Sequence, residues 1–403
     1  MLSRIVVFTL MIVLSLVNPF SLALCQQVSG KILSATDGRP VVGASVFLAN
    51  TSFGSVSDEH GQFQITRVPV GKYELVVSFV GYSTQVSTIQ VSGDLKPMEI
   101  ALKEKADELA NVVVEPFEKQ NWERWGRFFL ENFIGTMPEA SQCKIRNTKK
   151  IFFRFYKRSN RLVAFCDEPL VIENKALGYT IHYQLELFEY QFSSRRLFYQ
   201  GYPLFEEMES GSSRKMRQWE DNRAESYFGS MTHFMRSFYR NQLVENKFEV
   251  HHMVKLENEE KKRVKLIMRA NPGRTYDSSA YYNRILEQPD FKDVVDAAVL
   301  PGDSIGFGID DATAGLFFPD YLYIVYKKPE PLEYAQQQKR PNMKVRVSYL
   351  QLTDETVISV GSNGNYYPPT AMIHSGYWSW SEKMATTLPL NYTPSTHSRR
   401  LDK

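Results

Sequence analysis

The string Gly302-Asp303-Ser304-Ile305-Gly306 meets the G-x-S-x-G pattern of a serine nucleophile. That motif works when a strained strand-to-helix turn lifts the hydroxyl above a parallel sheet, within reach of a histidine and an acid. Asp310 or Asp320, and then His374, supply those partners in the right chain order. The surroundings argue against an elbow. Pro301 interrupts the approaching strand, and Gly306, Gly308 and Gly315 oppose a helix after it. Ser304 is therefore expected in a turn between strands, and it stands only as a weak catalytic candidate.

Metal chemistry has little to work with. His251 and His252 are neighbours on a predicted strand and point to opposite faces, so one ion does not reach both. His182 and Glu186 would meet on a helix. On the strand read over Tyr179–Phe192 they stand roughly 13 Å apart, at about 3.3 Å per residue. His233 has no carboxylate at helical spacing to orient it. Asp310-Asp311 and Glu206-Glu207 offer the paired carboxylates of a glycosidase, but doublets of this kind are common among 45 acidic residues. No metal site and no cofactor is expected.

Binding is better supported. Arg154, Lys157, Arg158 and Arg161, with Lys149 and Lys150, cluster around Phe152, Phe153, Phe155 and Tyr156. Arginine beside aromatics can hold anionic lipid headgroups or sugars through charge and stacking. Asn363-Gly364-Asn365-Tyr366-Tyr367-Pro368-Pro369 is a polar, aromatic loop of similar potential. Arg154, Tyr156, Lys157, Arg158, Tyr366 and Tyr367 are the binding candidates, set against the plainer reading of a solvated hairpin and a surface turn.

The chain that must position these groups has 403 residues, 43% of them hydrophobic and 13% aromatic, enough for more than one folded core. Its net charge of +3 leaves no nucleic-acid footprint. Met1–Leu24 reads as an export signal: Arg4 supplies the positive end and Ile5–Val17 the apolar run, too short to span a bilayer. Ala23 and Cys25 satisfy the small-residue rule and leave Gln26 first. The rival is a lipid anchor at Cys25, disfavoured because bulky Leu24 precedes it. No later segment has the length of a transmembrane helix. With residues 1–25 removed, Cys143 and Cys166 remain, able to form one disulfide or to stand as two free thiols.

From Gln27 to Leu102 about seven short alternating runs follow one another, with turn signals every eight to twelve residues. Three strings carry a pattern here: Val28-Ser29-Gly30-Lys31-Ile32, Pro40-Val41-Val42-Gly43-Ala44-Ser45-Val46 and Ser57-Asp58-Glu59-His60-Gly61-Gln62-Phe63. Pro69-Val70-Gly71-Lys72-Tyr73 and Phe79-Val80-Gly81-Tyr82 continue it. The series resembles the carboxypeptidase regulatory-like domain, a transthyretin-like β-sandwich of Gram-negative envelope proteins.

The resemblance implies an accessory or binding module, since this domain accompanies catalytic domains without being one. The zinc motif of such enzymes starts His-x-x-Glu, and no histidine here has Glu three residues later. Asp58 and Glu59 suit a tight turn better than calcium. The same module precedes the plug of TonB-dependent receptors, and Ala110-Asn111-Val112-Val113-Val114-Glu115 is similar to the connector found there. No plug-like continuation follows, the remaining residues are too few for the large barrel, and Arg400–Lys403 lacks a terminal aromatic strand. A receptor is not expected.

Lys103–Lys119 is charge-rich and reads as a linker, with Val112–Val114 an edge strand. Net charge shifts from −3 over Gln26–Glu115 to +5 beyond it. Trp122, Trp125, Phe128, Phe129 and Phe133 mark an aromatic-faced helix over Trp122–Ile134, read as core. Lys150–Tyr156, Tyr179–Phe192 and Arg196–Leu204 read as strands, Ser213–Leu243 as a helix bent at Gly229. Phe248–Leu256 and Arg263–Met268 read as a hairpin around Glu257–Lys262. Strands over Tyr321–Lys327, Met343–Leu352 and Val357–Val360, and a short helix in Tyr377–Thr387, complete the pattern.

The expected architecture is β-rich with two domains. A signal occupies 1–25, an antiparallel transthyretin-like sandwich 26–103 and a linker 104–119. An α+β domain with a large antiparallel sheet follows over 120–387, then a flexible tail over 388–403. It also resembles the C-terminal region found beside this module in similar envelope proteins, which carries no established activity. The expected role is that of a non-catalytic protein of the periplasm or outer membrane, binding an envelope protein, a glycan or an anionic lipid headgroup. A hydrolase in the second domain and a purely structural surface protein are the alternatives.

Overall fold

The computed structural model describes residues 26–93, 95–105, 115–270, 279–310, 312–353 and 355–395. The signal segment with Cys25, the strand read at Val112–Val114, and Asp311 lie outside them. The described chain divides into two compact units, residues 26–48 with 53–105, and residues 49–52 with 115–395.

The first unit is a β-sandwich. Its strands are β1 (Gln26–Ser34), β2 (Ser45–Leu48), β3 (Gly54–Val56), β4 (Gln62–Val68), β5 (Gly71–Ser78), β6 (Gln85–Val91) and β7 (Met98–Leu102). One sheet runs β4-β1-β7 and the other β3-β2-β5-β6. Strict alternation builds the core: Phe63 and Ile65 are buried while Gln62 and Gln64 face water. They meet Val28, Ile32, Val46, Leu75 and Val77 from both sheets. The pairing of β1 with β7 is parallel, whereas every other strand pair of the unit is antiparallel. At the turn before β4, the Asp58 carboxylate accepts the N–H groups of His60 and Gln62, each at 2.8 Å. Those bonds, the one from Gln62 foremost, hold its carboxyl below the usual range.

The second unit has three sheets around one continuous apolar core. Its first strands are β8 (Glu118–Gln120), β9 (Cys143–Ile145), β10 (Ile151–Tyr156), β11 (Arg161–Cys166), β12 (Leu170–Asn174), β13 (Tyr179–Gln191) and β14 (Arg196–Glu207). They form a seven-stranded sheet in the order β8-β10-β11-β13-β12-β9, with β14 paired to β13. Helix α1 (Trp122–Phe133), capped by the Asn121 side chain, packs on this sheet. Phe129 and Phe133 are fully buried, and the Phe129 ring lies 4.8 Å from Phe188.

Two helices follow, α2 (Ser213–Tyr227) and α3 (Met231–Tyr239), where one bent helix was expected. Gly229 separates them at φ +87°, and a Cβ there would stand 2.6 Å from the Tyr326 ring. That combination of backbone and space admits glycine and stops the helix. The Ser230 side chain then caps α3 by accepting the N–H of His233.

Strand β15 (Phe248–Glu257) is followed by helix α4 (Glu259–Ala270), which corrects the hairpin expected over Arg263–Met268. The alternation of Val264, Leu266 and Met268 looks like a strand. Asn258 decides otherwise: its side chain accepts the N–H of Lys261 at 3.0 Å and starts a helix through Glu259-Glu260-Lys261-Lys262-Arg263. After α5 (Ser279–Glu287), the partner of β15 is β16 (Phe291–Val295).

Next come a one-turn helix α6 (Gly302–Ile305), β17 (Gly306–Asp310), β18 (Thr313–Leu316), β19 (Tyr321–Tyr326), α7 (Leu332–Gln337), β20 (Arg346–Leu352), β21 (Ile358–Gly361), β22 (Tyr366–Tyr367), β23 (Met372–Gly376) and α8 (Tyr377–Ser381). The second sheet runs β16-β15-β19-β20-β23 and the third β17-β18-β21-β22. The residues read as the start of a loose tail are held instead. Arg236, only 6% exposed, donates to the carbonyls of Leu390 and Tyr392 at 2.7 and 2.9 Å.

Candidate functional site

Ser304 lies in α6, ahead of a strand, so the local order is helix then strand, the reverse of a nucleophile elbow. Its hydroxyl donates to the carbonyl of Pro301 at 2.7 Å. Asp320, offered as a triad acid, lies 3.0 Å from Nε2 of His252. His374 sits on β23, where burial first, and Lys383 second, push its ring down to about 4.

Three further histidines of this unit, His251, His182 and His233, are each occupied separately. Nδ1 of His251 lies 3.0 Å from the carbonyls of Asp296 and Ala298. His182 faces Glu206 on the neighbouring strand at 3.4 Å. Buried His233 takes the N–H of Gly229 on Nδ1 at 3.1 Å and is ringed by Tyr227, Phe228, Phe248 and Tyr326. Among the described residues no three His, Cys, Asp or Glu side chains gather as a metal site. Cys143 and Cys166 are free thiols, which corrects the disulfide alternative. Strands β12 and β13 lie between β9 and β11, so three strand spacings alone hold the two cysteines at least about 14 Å apart, far beyond disulfide reach.

The basic hairpin of β10 and β11 keeps its charges for itself. The Arg154 guanidinium sits between the rings of Phe117 and Phe165, at 4.8 and 4.5 Å from their centres. Arg161 covers Tyr156 at 4.3 Å and pairs with Glu189 at 2.9 Å. Lys157 pairs with Glu118 on β8 at 2.5 Å. Arg158 is exposed in the turn. Tyr366 and Tyr367 belong to a different sheet. Burial pushes the Tyr366 hydroxyl up to about 12, and Tyr367 is 56% exposed. The loop before them is pinned by Arg236, which donates to the carbonyl of Asn363 at 2.8 Å.

A cleft of about 460 Å³ opens elsewhere in this unit, a size suited to a small ligand. Its wall draws on Glu139, the end of α2, the Phe228-Gly229-Ser230 link, the loop Lys328–Pro331, Arg346 of β20, and α8 with Glu382. Glu225 is the electrostatic pivot. Its two oxygens accept from Arg346 and from Lys328, each at 2.6 Å. Burial alone would raise its carboxyl, but Arg346 and Lys328 outweigh that and hold it below the usual range. Arg346 is 5% exposed, donates to the carbonyls of Phe228 and Pro329 at 3.3 Å, and lies over Tyr377 at 5.0 Å.

Glu139 and Glu382 behave in the opposite way. Burial pushes Glu382 up to about 7 against the single N–H of Met231, which it accepts at 2.9 Å. Burial also raises Glu139, with Glu225 and Glu333 adding like charge. Neither has a cationic partner in an ion pair among the described residues. Beside them, the Trp380 indole N–H and the Ser381 hydroxyl have no hydrogen-bond partner among the described residues. None of these residues was singled out in the sequence. They lie at positions 139, 225, 346 and 377–382, and no local spacing relates them.

Residues 28–114 match the family model of the CarboxypepD_reg-like domain. A TonB-dependent receptor of Formosa agariphila is 34% identical over 113 residues, which cover 28% of this chain and 10% of that protein. TonB-dependent receptor SusC of Bacteroides thetaiotaomicron is 36% identical over 93 residues, covering 23% of this chain and 9% of that one. The chain thus spans about a tenth of the length of these curated relatives. Among solved structures, a DUF3823 family protein of Bacteroides ovatus overlaps 46% of this chain and 83% of its own, at 13% identity and a TM-score of 0.17. A membrane-associated protein of unknown function from Bacteroides fragilis overlaps 85% and 99%, at 10% identity and a TM-score of 0.15.

Proposed function

We propose that this chain, with its CarboxypepD_reg-like domain at residues 28–114, is a non-catalytic cell-envelope protein that binds another envelope component. The observation that carries the envelope setting is the sequence similarity of this region to stretches of two TonB-dependent receptors. The export signal read over Met1–Leu24 agrees with it. No helix among the described residues is long and apolar enough to cross a membrane.

Binding rather than catalysis is favoured by how the reactive groups are used. Ser304 sits before a strand and bonds to its own turn. The cleft has carboxylates of contrasting acidity, as a glycosidase requires, but both oxygens of Glu225 are tied to cations and neither is free to act as nucleophile or base. The cleft is therefore read as the binding site of the second unit.

The test is in-cell crosslinking of tagged full-length protein, with fractionation and mass spectrometry of the mature N-terminus. The expected result is an envelope fraction, a chain starting at Gln26 or at lipidated Cys25, and one stoichiometric envelope partner. A cytoplasmic chain, or hydrolysis by the purified protein that Ser304→Ala abolishes, would overturn the proposal.

A further inference from the structure

We propose that the cleft bordered by Glu139, Glu382 and Trp380 binds a cationic amine or guanidinium group carried next to a hydrogen-bond acceptor, and this rests on the binding role proposed above. The inference follows from which groups of the cleft are satisfied and which are not. Its two cations, Lys328 and Arg346, are both spent on Glu225. Arg346 is further fixed by two carbonyls and by the Tyr377 ring, so it cannot swing to another anion without breaking four contacts. Glu330, also on the wall, is paired with Arg340 at 2.5 and 2.8 Å.

Glu139 and Glu382 are what remains. A half-buried carboxylate without a counter-charge either keeps its proton or waits for a cation, and the upward shift of both groups expresses that deficit. The aromatic side of the wall fits the same ligand. The Tyr377 ring is taken by Arg346, but Trp380 and Phe228 also line the cleft, and ring faces attract cations. A cation alone leaves one demand unmet. Trp380 is 8% exposed and its N–H has no acceptor among the described residues, where the Ser381 hydroxyl is equally unpartnered. A buried donor left unpaired is destabilising, so a carbonyl or hydroxyl adjoining the cationic group would gain from reaching it. An anionic lipid headgroup fits poorly, since it would meet two uncompensated carboxylates and no available cation.

Two sources share this chemistry: a basic amino-acid residue, whose amide supplies the acceptor, and an amino sugar, whose hydroxyls do. Isothermal titration of the full-length mature chain with N-acetyl-arginine amide, N-acetyl-lysine amide, glucosamine and N-acetylglucosamine separates them. At least one charged probe should bind, at least tenfold more tightly than the neutral N-acetylglucosamine. Glu382→Gln and Glu139→Gln should each weaken that binding tenfold or more, and Arg154→Gln should leave it unchanged. Thermal melts of each variant establish that the fold persists; Glu139→Gln offers a second route should Glu382→Gln unfold the chain. Equal binding of the neutral sugar, no binding of any charged probe, or full affinity in both folded glutamine variants would overturn the inference. Crosslinking to an envelope partner that survives in the Glu139→Gln/Glu382→Gln double variant would refute this ligand assignment alone. Probe binding by a chain found in the cytoplasm would refute the envelope reading instead.

Discussion

The hairpin of β10 and β11 and the cleft beside α8 both place arginine against aromatic rings, yet they are in opposite electrostatic states. In the hairpin, Arg154 lies between two rings, while Arg161 and Lys157 each hold a carboxylate. In the cleft the cations are equally committed, but two carboxylates, Glu139 and Glu382, are left without an ion pair among the described residues. Density of charge and aromatics along the chain therefore does not identify a binding site. What identifies one is a surplus after the internal pairings are complete, because only a surplus has interaction energy left for a ligand.

The sharpest way to break this contrast is Arg346→Met. It frees Glu225 from one of its two cations and strips two carbonyls of their donor. The expected loss is about 2–3 kcal/mol, below the full cost of breaking a buried pair because Glu225 is half exposed. Urea unfolding followed by tryptophan fluorescence reads it, since all five tryptophans lie beyond residue 120, in the second unit. A variant as stable as the parent would remove Arg346 from its central place.

Titration sharpens the surplus itself. Glu382, pushed from 4.5 to about 7, keeps its proton in the folded chain where the unfolded chain has lost it, so its contribution falls as pH rises from 4.5 to 7. His374, pushed from 6.5 down to about 4, stays neutral in the folded chain where the unfolded chain gains a proton, so its contribution rises between pH 4 and 6.5. The two oppose each other across most of that range. Glu382→Gln removes one of them, and its stability should climb with pH from 4 to 6.5 relative to the parent, by about 1–3 kcal/mol. Parallel stability curves for the two proteins would show that Glu382 titrates normally.

Smaller effects probe the satisfied side. Arg154→Gln loses its contacts with Phe117 and Phe165, an expected cost of about 1 kcal/mol in the same urea measurement, without change in ligand binding. A large loss of binding would move the site to the hairpin. Ser304→Ala should stay within about 0.5 kcal/mol of the parent, since it removes one exposed bond to Pro301. Loss of any enzymatic activity in that variant would revive the hydrolase alternative.

The fold was legible wherever short-range pattern decides it. The alternation of β4 and the spacing of Trp122, Phe129 and Phe133 each predict an element that the structure contains. Legibility failed where a single side chain outweighs the pattern. Asn258 turns an alternating Val264-Leu266-Met268 run into helix α4, and Gly229 divides one expected helix into two. The cleft was not legible, for a different reason: its members come from five separate segments.

The amino-acid sequence by itself determined a β-rich chain in two parts, a first part resembling the carboxypeptidase regulatory-like domain, and the absence of a well-formed elbow around Ser304. Alternation, turn residues and helix breakers act over a few positions, so they can be read without knowing what lies opposite. Only the tertiary structure decided which charges are spent. It brought Glu225 to Arg346 across more than a hundred residues and left Glu139 and Glu382 without an ion pair among the described residues. Ion pairing depends on distances of a few ångströms between remote segments, and chain closure alone sets those distances.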